Sequence, residues 1–188
     1  MSANGPDTLI KALQNPELYD HPVNEFRVIE THISQVLLTG DFAYKIKKPM
    51  DFGFLDFSTL ERRKRFCEEE LRLNSRLAAE LYLEVVPITG TPEQPRLGGD
   101  GTPFEYAIRM RQFDQSQLFD VRQERDDLPA ELLTNLARQV ADFHKSLPPV
   151  ADEKPLGTPE AVYAAMQENF DQIRPMLDDA GLLAQLDN

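Results

Sequence analysis

The chain has 188 residues, of which 41% are hydrophobic, enough for one globular domain or for one domain and part of another. Its formal net charge of −12 at pH 7 disfavours contact with nucleic-acid phosphates and with anionic lipid. No apolar run approaches the roughly 20 residues of a membrane span. The composition therefore predicts neither a nucleic-acid partner nor a membrane partner, and any bound phosphate must be held by a local positive site.

The amino terminus has no long apolar core behind a positive head, so the sequence predicts no secretory signal. Cys67 is the only cysteine and cannot form an internal disulfide, which agrees with a reducing compartment. With no histidine near it in sequence, Cys67 is interpreted as a packing residue. These features predict a cytoplasmic protein.

Residues 26 to 48 read FRVIETHISQVLLTGDFAYKIKK, which is rich in β-branched and aromatic residues and is interrupted twice by turn residues. The pattern predicts three strands. Gly40-Asp41 is a short turn of the hairpin kind, so we expect the second strand, 33–38, to pair antiparallel with the third, 42–47.

A helix is predicted after these strands. The stretch Ser58-Thr59-Leu60-Glu61 has the form of a capping box, in which the serine oxygen satisfies an early helix amide, so we expect the helix to begin at Ser58. Phe66, Leu73 and Leu77 fall at helical spacing and predict an apolar stripe along it.

Two further strands are predicted at 84–89 and 104–110, joined by a glycine-rich turn at 98–101. The total is five strands, with one helix between the third and the fourth. Beyond Phe113 the pattern becomes helical: Pro129 is placed to start one helix, and Thr158-Pro159-Glu160 to open another that should break near Pro175.

Glu70 lies between Phe66 and Leu73 on the predicted apolar stripe, where an unpaired carboxylate would be costly. Alternation along the third strand puts Ala43, Lys45 and Lys47 on one face. Lys45 is therefore the natural partner of Glu70. The alternative is that Glu70 reaches water at the edge of the stripe and that Glu69 is the inward carboxylate. A second cluster of basic residues, Arg62 to Arg65, is interpreted as a solvated helix face.

This order of elements resembles the small lobe and hinge of protein-kinase-like folds, and more closely the aminoglycoside phosphotransferase-like group of small-molecule kinases. FAYKIKKP resembles the lysine strand of that group, FCEEELRLNSRLAAELYLEVVPIT its helix and following strand, and LARQVADFHKSL a later helix. LLTGDFAYKIKKPMDFGFLDFSTLERR is similar to bacterial two-part proteins in which such a domain precedes a P-loop kinase-like domain. The resemblance covers roughly residues 26 to 174 and is specific from Leu37 to Arg63.

The resemblance implies a nucleotide site with ATP as the cofactor. In it Lys45 would contact the α- and β-phosphates and pair with Glu70, an arrangement in which positioning and charge neutralisation do most of the catalytic work. Ala43, on the same face of the strand, would lie against the adenine. The connector from Met110 to Phe113 would offer backbone groups to the edge of the base.

The turn between the first two strands would stand where protein kinases have a glycine-rich loop. The resemblance therefore makes Thr31 and Ser34 candidate phosphate contacts.

Asp51-Phe52-Gly53 spells the magnesium-binding motif of protein kinases. In those enzymes the motif comes after the catalytic loop, far downstream of the helix glutamate, whereas Asp51 precedes that helix. We therefore expect no metal site here and interpret the stretch as a connection held down by packing of its apolar side chains, Phe52, Phe54, Leu55 and Phe57.

Phosphoryl transfer in this fold needs a His-x-Asp-x-x-x-x-Asn loop and a later acidic residue for magnesium, and neither occurs in the sequence. We expect the magnesium ligands beyond residue 188, in a longer protein, or else that the chain is a natural short form. The predicted fold class is α+β: an N-terminal helical extension (1–25), a small lobe of a five-stranded antiparallel sheet and one helix with its hinge (26–113), and the first helices of an incomplete large lobe (114–188).

Three functions remain open from the sequence. The first is the nucleotide-binding part of an ATP-dependent phosphotransferase acting on an unidentified small molecule, with this chain alone inactive. The second is a kinase-like module that senses nucleotide or regulates an attached P-loop ATPase-like domain without chemistry of its own. The third is a structural domain in which Lys45 and Glu70 only stabilise the fold.

Overall fold

The computed structural model describes residues 5–149 and 157–177. The chain divides into two units at the junction between Pro129 and Ala130. The first unit is α+β and is built on one antiparallel sheet, and the described part of the second is helical. In the described residues no helix combines the length and the apolar character needed to cross a membrane.

The sheet has six strands in the order β1-β2-β3-β6-β4-β5, and all neighbours are antiparallel. Their bounds are β1 Arg27–Glu30, β2 Ser34–Leu38, β3 Phe42–Lys47, β4 Tyr82–Thr91, β5 Gln94–Leu97 and β6 Glu105–Arg111. The first three and their hairpin agree with the sequence prediction. The strand that carries Lys45 lies inside the sheet, between β2 and β6.

The prediction of five strands was wrong, because it missed β5. The sequence of β5, QPRL, contains a proline and no β-branched residue, and it pairs with β4 alone. An edge strand tolerates proline because one side of its backbone needs no partner. Gly90 makes the tight β4–β5 connection possible: its φ is +87°, and a Cβ there would lie 2.4 Å from the carbonyl oxygen of Gln94.

One face of the sheet is covered by the N-terminal segment. Helix α1, Gly5–Ala12, and the residues after it contribute Leu9, Ile10 and Leu13 to the main hydrophobic cluster. The sheet contributes buried side chains from its central strands: Leu37, Tyr44, Ile46, Ile88 and Ala107. The opposite face, which carries Ala43, Lys45 and Lys47, is therefore left for other partners.

Helix α2 is Leu60–Ala78, and its cap lies one residue later than the predicted Ser58. Its N-cap is Thr59, whose hydroxyl accepts a hydrogen bond from the amide of Arg62 at 3.3 Å. The hydroxyl of Ser58 instead donates to the carboxylate of Asp56 at 2.6 Å. Because the Ser58 hydroxyl is bound to Asp56, it does not cap the helix, and the predicted capping box does not form.

The predicted apolar stripe of α2 was also wrong. Leu73 and Leu77 are 46% and 45% exposed, whereas Arg63 and Cys67 are buried and Glu70 is half-buried. Positions 63, 67 and 70 lie four and three residues apart, so they share one face of the helix. The face of α2 that meets the sheet thus carries Arg63 and Glu70 beside the packing residue Cys67. Of the predicted stripe, Phe66 is half-buried and packs edge-on against Phe57, with ring centroids 5.0 Å apart.

The start of α2 is fixed to the sheet by a buried ion pair. Nε of Arg63 lies 2.9 Å from both carboxylate oxygens of Glu105, and Nη1 donates to the carbonyl oxygen of Phe57 at 3.0 Å. Burial of Glu105 raises the pKa of its carboxyl despite the hydrogen bonds from Arg63, which act to lower it. A paired, hydrogen-bonded ion of this kind fixes where the helix lies more than it adds net stability.

The described residues also contain short helical elements. A 3₁₀ turn at Pro16–Leu18 precedes the sheet, a 3₁₀ turn at Gln115–Gln117 and helix α3, Phe119–Glu124, follow it, and a 3₁₀ turn at Arg174–Met176 lies in the second unit.

The second unit contains helices α4, Ala130–Ser146, and α5, Pro159–Ile173. Pro129 directly precedes α4, and α5 has Thr158 as its N-cap with Pro159 in its first turn, as predicted. The helix ends before Pro175, where the chain passes into the last 3₁₀ turn.

Replacing Arg63 by Met should lower the free energy of unfolding by about 3 kcal/mol, because it leaves the carboxylate of Glu105 buried without its cation. Adding Glu105→Leu to that variant should recover most of the loss. The measurement is chemical denaturation, with the exposed Arg65→Met as the control. Equal stabilities of the single and double variants would contradict a buried pair.

Candidate functional site

Lys45 and Glu70 form the ion pair that the sequence predicts. Nζ of Lys45 donates to Oε1 of Glu70 at 2.6 Å, and both side chains are mostly enclosed, at 22% and 15% exposure. The alternative inward carboxylate, Glu69, is 45% exposed and pairs with Arg72 on the helix surface. Glu70 is therefore the carboxylate of α2 that meets the sheet.

Lys47 is a third member of this cluster, and the sequence analysis did not assign it to the site. Its Nζ donates to Oε2 of Glu70 at 2.6 Å, and its side chain is only 4% exposed. The ammonium also lies 4.8 Å from the ring centroid of the buried Phe57. The signal was present, because strand alternation already put Lys45 and Lys47 on the same face.

The two ammonium groups outnumber the single carboxylate between them. Burial acts to raise the pKa of Glu70, but hydrogen bonds from Lys45 and Lys47 outweigh it and hold that pKa below its ordinary value. Glu70 is therefore ionised at neutral pH and the cluster carries a net positive charge. In a chain of net charge −12, this is a local site that favours an anion.

An apolar cavity of about 220 Å³ opens on the same face of the sheet. Its lining includes Ile29, Val36, Leu38, Ala43, Met110 and Phe113. Val36 is the register partner of Lys45, and Met110 is the partner of Ala43, so the cavity lies beside the ion cluster. The cavity lining thus includes Ala43, which was predicted to lie against the adenine, together with Met110 and Phe113, the two ends of the connector predicted for the edge of the base.

Tyr82 also lines the cavity and was missed, because the predicted strand began at Glu84 whereas β4 begins at Tyr82. It is the register partner of Met110. Burial and the charge of Glu70 both raise the pKa of its phenol, and Lys45 acts in the opposite direction. Tyr82 therefore lines the apolar cavity and is near enough to the ion cluster for its charges to act on the phenol.

Two backbone amides after Met110 are already hydrogen-bonded within the protein. The amide of Arg111 donates to the carbonyl oxygen of Leu81 at 2.8 Å, and that of Gln112 to Asp41 at 3.0 Å. Phe113 is 44% exposed at the mouth of the cavity. The expected contact of this connector with the edge of a base stays a prediction.

Thr31 and Ser34 close the turn between β1 and β2. Their hydroxyl oxygens lie 2.9 Å apart, and the amide of Ser34 donates to the hydroxyl of Thr31 at 3.0 Å. Ser34 is buried, whereas Thr31 is exposed. Their contact with phosphate stays a prediction, and Thr31 is the more accessible of the two.

Asp51-Phe52-Gly53 lies in the connection between β3 and α2, where its carboxylate closes a turn by accepting the amide of Gly53 at 2.8 Å. The expected packing holds only in part. Phe57 is buried, but Phe52 and Phe54 are 47% and 73% exposed and stack on each other with centroids 6.2 Å apart. The turn is held by backbone hydrogen bonds, such as Phe52 amide to Leu55 carbonyl at 2.9 Å, so it needs no aromatic core.

Across residues 5–149 and 157–177, no group of three or more histidine, cysteine, aspartate or glutamate side chains is arranged to hold a metal ion. The expected magnesium ligands lie outside the described residues.

Glu70→Gln should lower the free energy of unfolding by about 3 kcal/mol near neutral pH, since it leaves the buried Lys47 without a counter-charge. The pKa of Glu70 is lowered in the folded state, so the stabilisation is present above its ordinary value of 4.5 and is lost as the pH falls through the lowered one. The stability difference between wild type and variant should therefore shrink in acid.

The measurement is urea denaturation at a series of pH values, with Glu68→Gln, exposed on the same helix, as the control. A difference between wild type and Glu70→Gln that stays constant from neutral pH into acid would contradict an ionised, paired Glu70.

Comparison with known proteins gives relatives but no established activity. Uncharacterized proteins of Mycobacterium tuberculosis and Mycobacterium bovis are 38% identical to the chain over 129 residues, which is 66% of this chain and 24% of each relative. No family model matches the chain, and no solved structure matches it. The chain thus spans about a quarter of the length of the curated relatives it matches.

Proposed function

We propose that the chain is the nucleotide-binding portion of an ATP-dependent small-molecule phosphotransferase, with the first unit in the role of a protein-kinase-like small lobe. The observation that carries the proposal is the Lys45–Glu70 pair beside an apolar cavity on one face of the sheet. The resemblance to the aminoglycoside phosphotransferase-like group supports the same reading, because it concerns these residues in this order.

The proposed ligand fits the two parts of the site by its chemistry. A purine ring is flat and largely apolar, and the cavity between Ala43, Val36 and Met110 offers apolar walls for it. A polyphosphate is strongly anionic, and the neighbouring cluster has more positive than negative charge. A ligand with the base and the phosphates at its two ends would satisfy both surfaces.

In this proposal Lys45 binds the phosphates and Glu70 orients Lys45. The side chain of Lys45 is 22% exposed, so a ligand can reach it, and the carboxylate 2.6 Å from its Nζ limits the positions it can take. Preorganised charge of this kind stabilises the charge that develops in phosphoryl transfer. Transfer itself needs magnesium and a proton acceptor, which the proposal assigns to a part of the parent protein beyond residue 188.

A nucleotide-sensing module without chemistry is the second candidate. It uses the same binding residues, and it requires neither a magnesium ligand nor a proton acceptor. The two candidates differ in what the parent protein does with the nucleotide. They share the prediction that this chain binds ATP.

Lys45→Met should weaken ATP binding by at least about tenfold, because it removes a charge-assisted contact with the phosphates. Binding of adenosine, which has no phosphate, should be little affected, since the variant leaves the apolar cavity intact. The measurement is isothermal titration calorimetry with each ligand in turn, on protein shown by thermal unfolding to be folded.

Lys64→Met is the matched control, because it removes the same charge from an exposed position on α2. It should bind ATP like the wild type. Equal ATP affinity in Lys45→Met and wild type would refute both nucleotide-binding candidates and leave the ion pair with a purely structural role. Failure of the wild type to bind ATP would have the same consequence.

A further inference from the structure

Glu70 has two lysine partners, although one would neutralise it. Oε1 accepts from Lys45 and Oε2 from Lys47, each at 2.6 Å, so both oxygens of the carboxylate are engaged. Two residues of a strand span roughly 6.6 Å, which places the carboxylate between two neighbouring ammonium groups of β3. The two lysines reach the same group from different surroundings.

The two lysine side chains differ most in their exposure to solvent. The side chain of Lys47 is 4% exposed and its ammonium lies over the ring of Phe57, which is itself 2% exposed. The side chain of Lys45 is 22% exposed, and Val36, its register partner, lines the apolar cavity. A ligand that extends from the cavity past Val36 can reach the side chain of Lys45, whereas the ammonium of Lys47 is enclosed between the carboxylate of Glu70 and the ring of Phe57.

The helix that carries Glu70 has a second attachment that does not involve Lys45. Arg63, on the same face of α2, is held by Glu105 at 2.9 Å. Together the Arg63 and Lys47 pairs tie α2 to the sheet at two points. When Lys45 engages an anion, both of these attachments remain.

We propose that Lys47 is a positioning residue that keeps Glu70 in place and ionised, so that Lys45 alone is free to engage the anionic part of the ligand. This inference rests on the proposed nucleotide-binding function. The two lysines of β3 then have different roles. Lys47 stays paired with the Glu70 carboxylate whether or not a ligand is bound, and Lys45 is shared between that carboxylate and the phosphates. Loss of Lys47 makes Glu70 and the ligand compete for the same ammonium.

The test compares wild type with Lys47→Met, using ATP as the ligand, and reads both the affinity and the ionisation of Glu70. ATP affinity should fall about tenfold in Lys47→Met, as for the loss of one charge-assisted hydrogen bond, although Lys47 does not touch the ligand. Lys47→Arg keeps the charge and should restore most of the affinity. Lys64→Met is again the control, because Lys64 is exposed on α2, the helix that carries Glu70.

The second readout is the titration of the Glu70 carboxyl, followed by NMR on protein labelled with carbon-13 at glutamate. In wild type, ATP should leave the Glu70 pKa low, since Lys47 stays. In Lys47→Met, ATP should raise it, since the phosphates then share Lys45 with Glu70, which has no second lysine partner. Besides the lysines, the titratable groups that interact electrostatically with Glu70 include Cys67 and Tyr82, and they are unchanged in both proteins.

The wild type alone offers a further check that does not depend on whether Lys47→Met folds. ATP should shift the side-chain nitrogen signal of Lys45 and leave that of Lys47 in place. A shift of both signals, or an ATP affinity in folded Lys47→Met equal to that of wild type, would overturn the inference while the proposed function stands. If the wild type binds no ATP, the proposed function fails and this inference fails with it.

Discussion

The arrangement of α2 on the sheet depends on one carboxylate enclosed between two ammonium groups. Glu70 could not be buried without its cations, and Lys47 could not be buried without Glu70, so each requires the other. Such a pair has a strict geometry, unlike an apolar contact that can slide. The carboxylate therefore helps to fix where the helix lies on the sheet.

The polar character of the helix–sheet contact explains what the sequence could and could not predict. Strand alternation and the cost of an unpaired carboxylate were sufficient to predict the Lys45–Glu70 pair. The same reasoning failed for the rest of α2, because it took Leu73 and Leu77 for the inward stripe whereas Arg63 and Cys67 are inward. Hydrophobic periodicity finds the buried face of a helix only when that face is apolar.

The other differences between prediction and structure have local causes, which hydrophobic periodicity does not detect. Asp56 captures the hydroxyl of Ser58, which moves the helix cap to Thr59. Strand β5 has the composition of a turn, and it is a strand only because Gly90 lets the chain fold back onto β4. Phe52 and Phe54 were expected to pack inward, but backbone hydrogen bonds already hold their turn. In each case a single specific contact outweighs the average preference of the residues around it.

The two edges of the sheet are both short, at four residues each, and this has a consequence for how the protein behaves at high concentration. Unpaired strand edges are templates for aggregation. At one edge, Pro95 lacks a backbone donor, and at the other, β1 carries the charged side chains of Arg27 and Glu30 at its ends. Neither edge offers a long, uninterrupted row of donors and acceptors to a second molecule, so the sheet is protected against growth by strand addition.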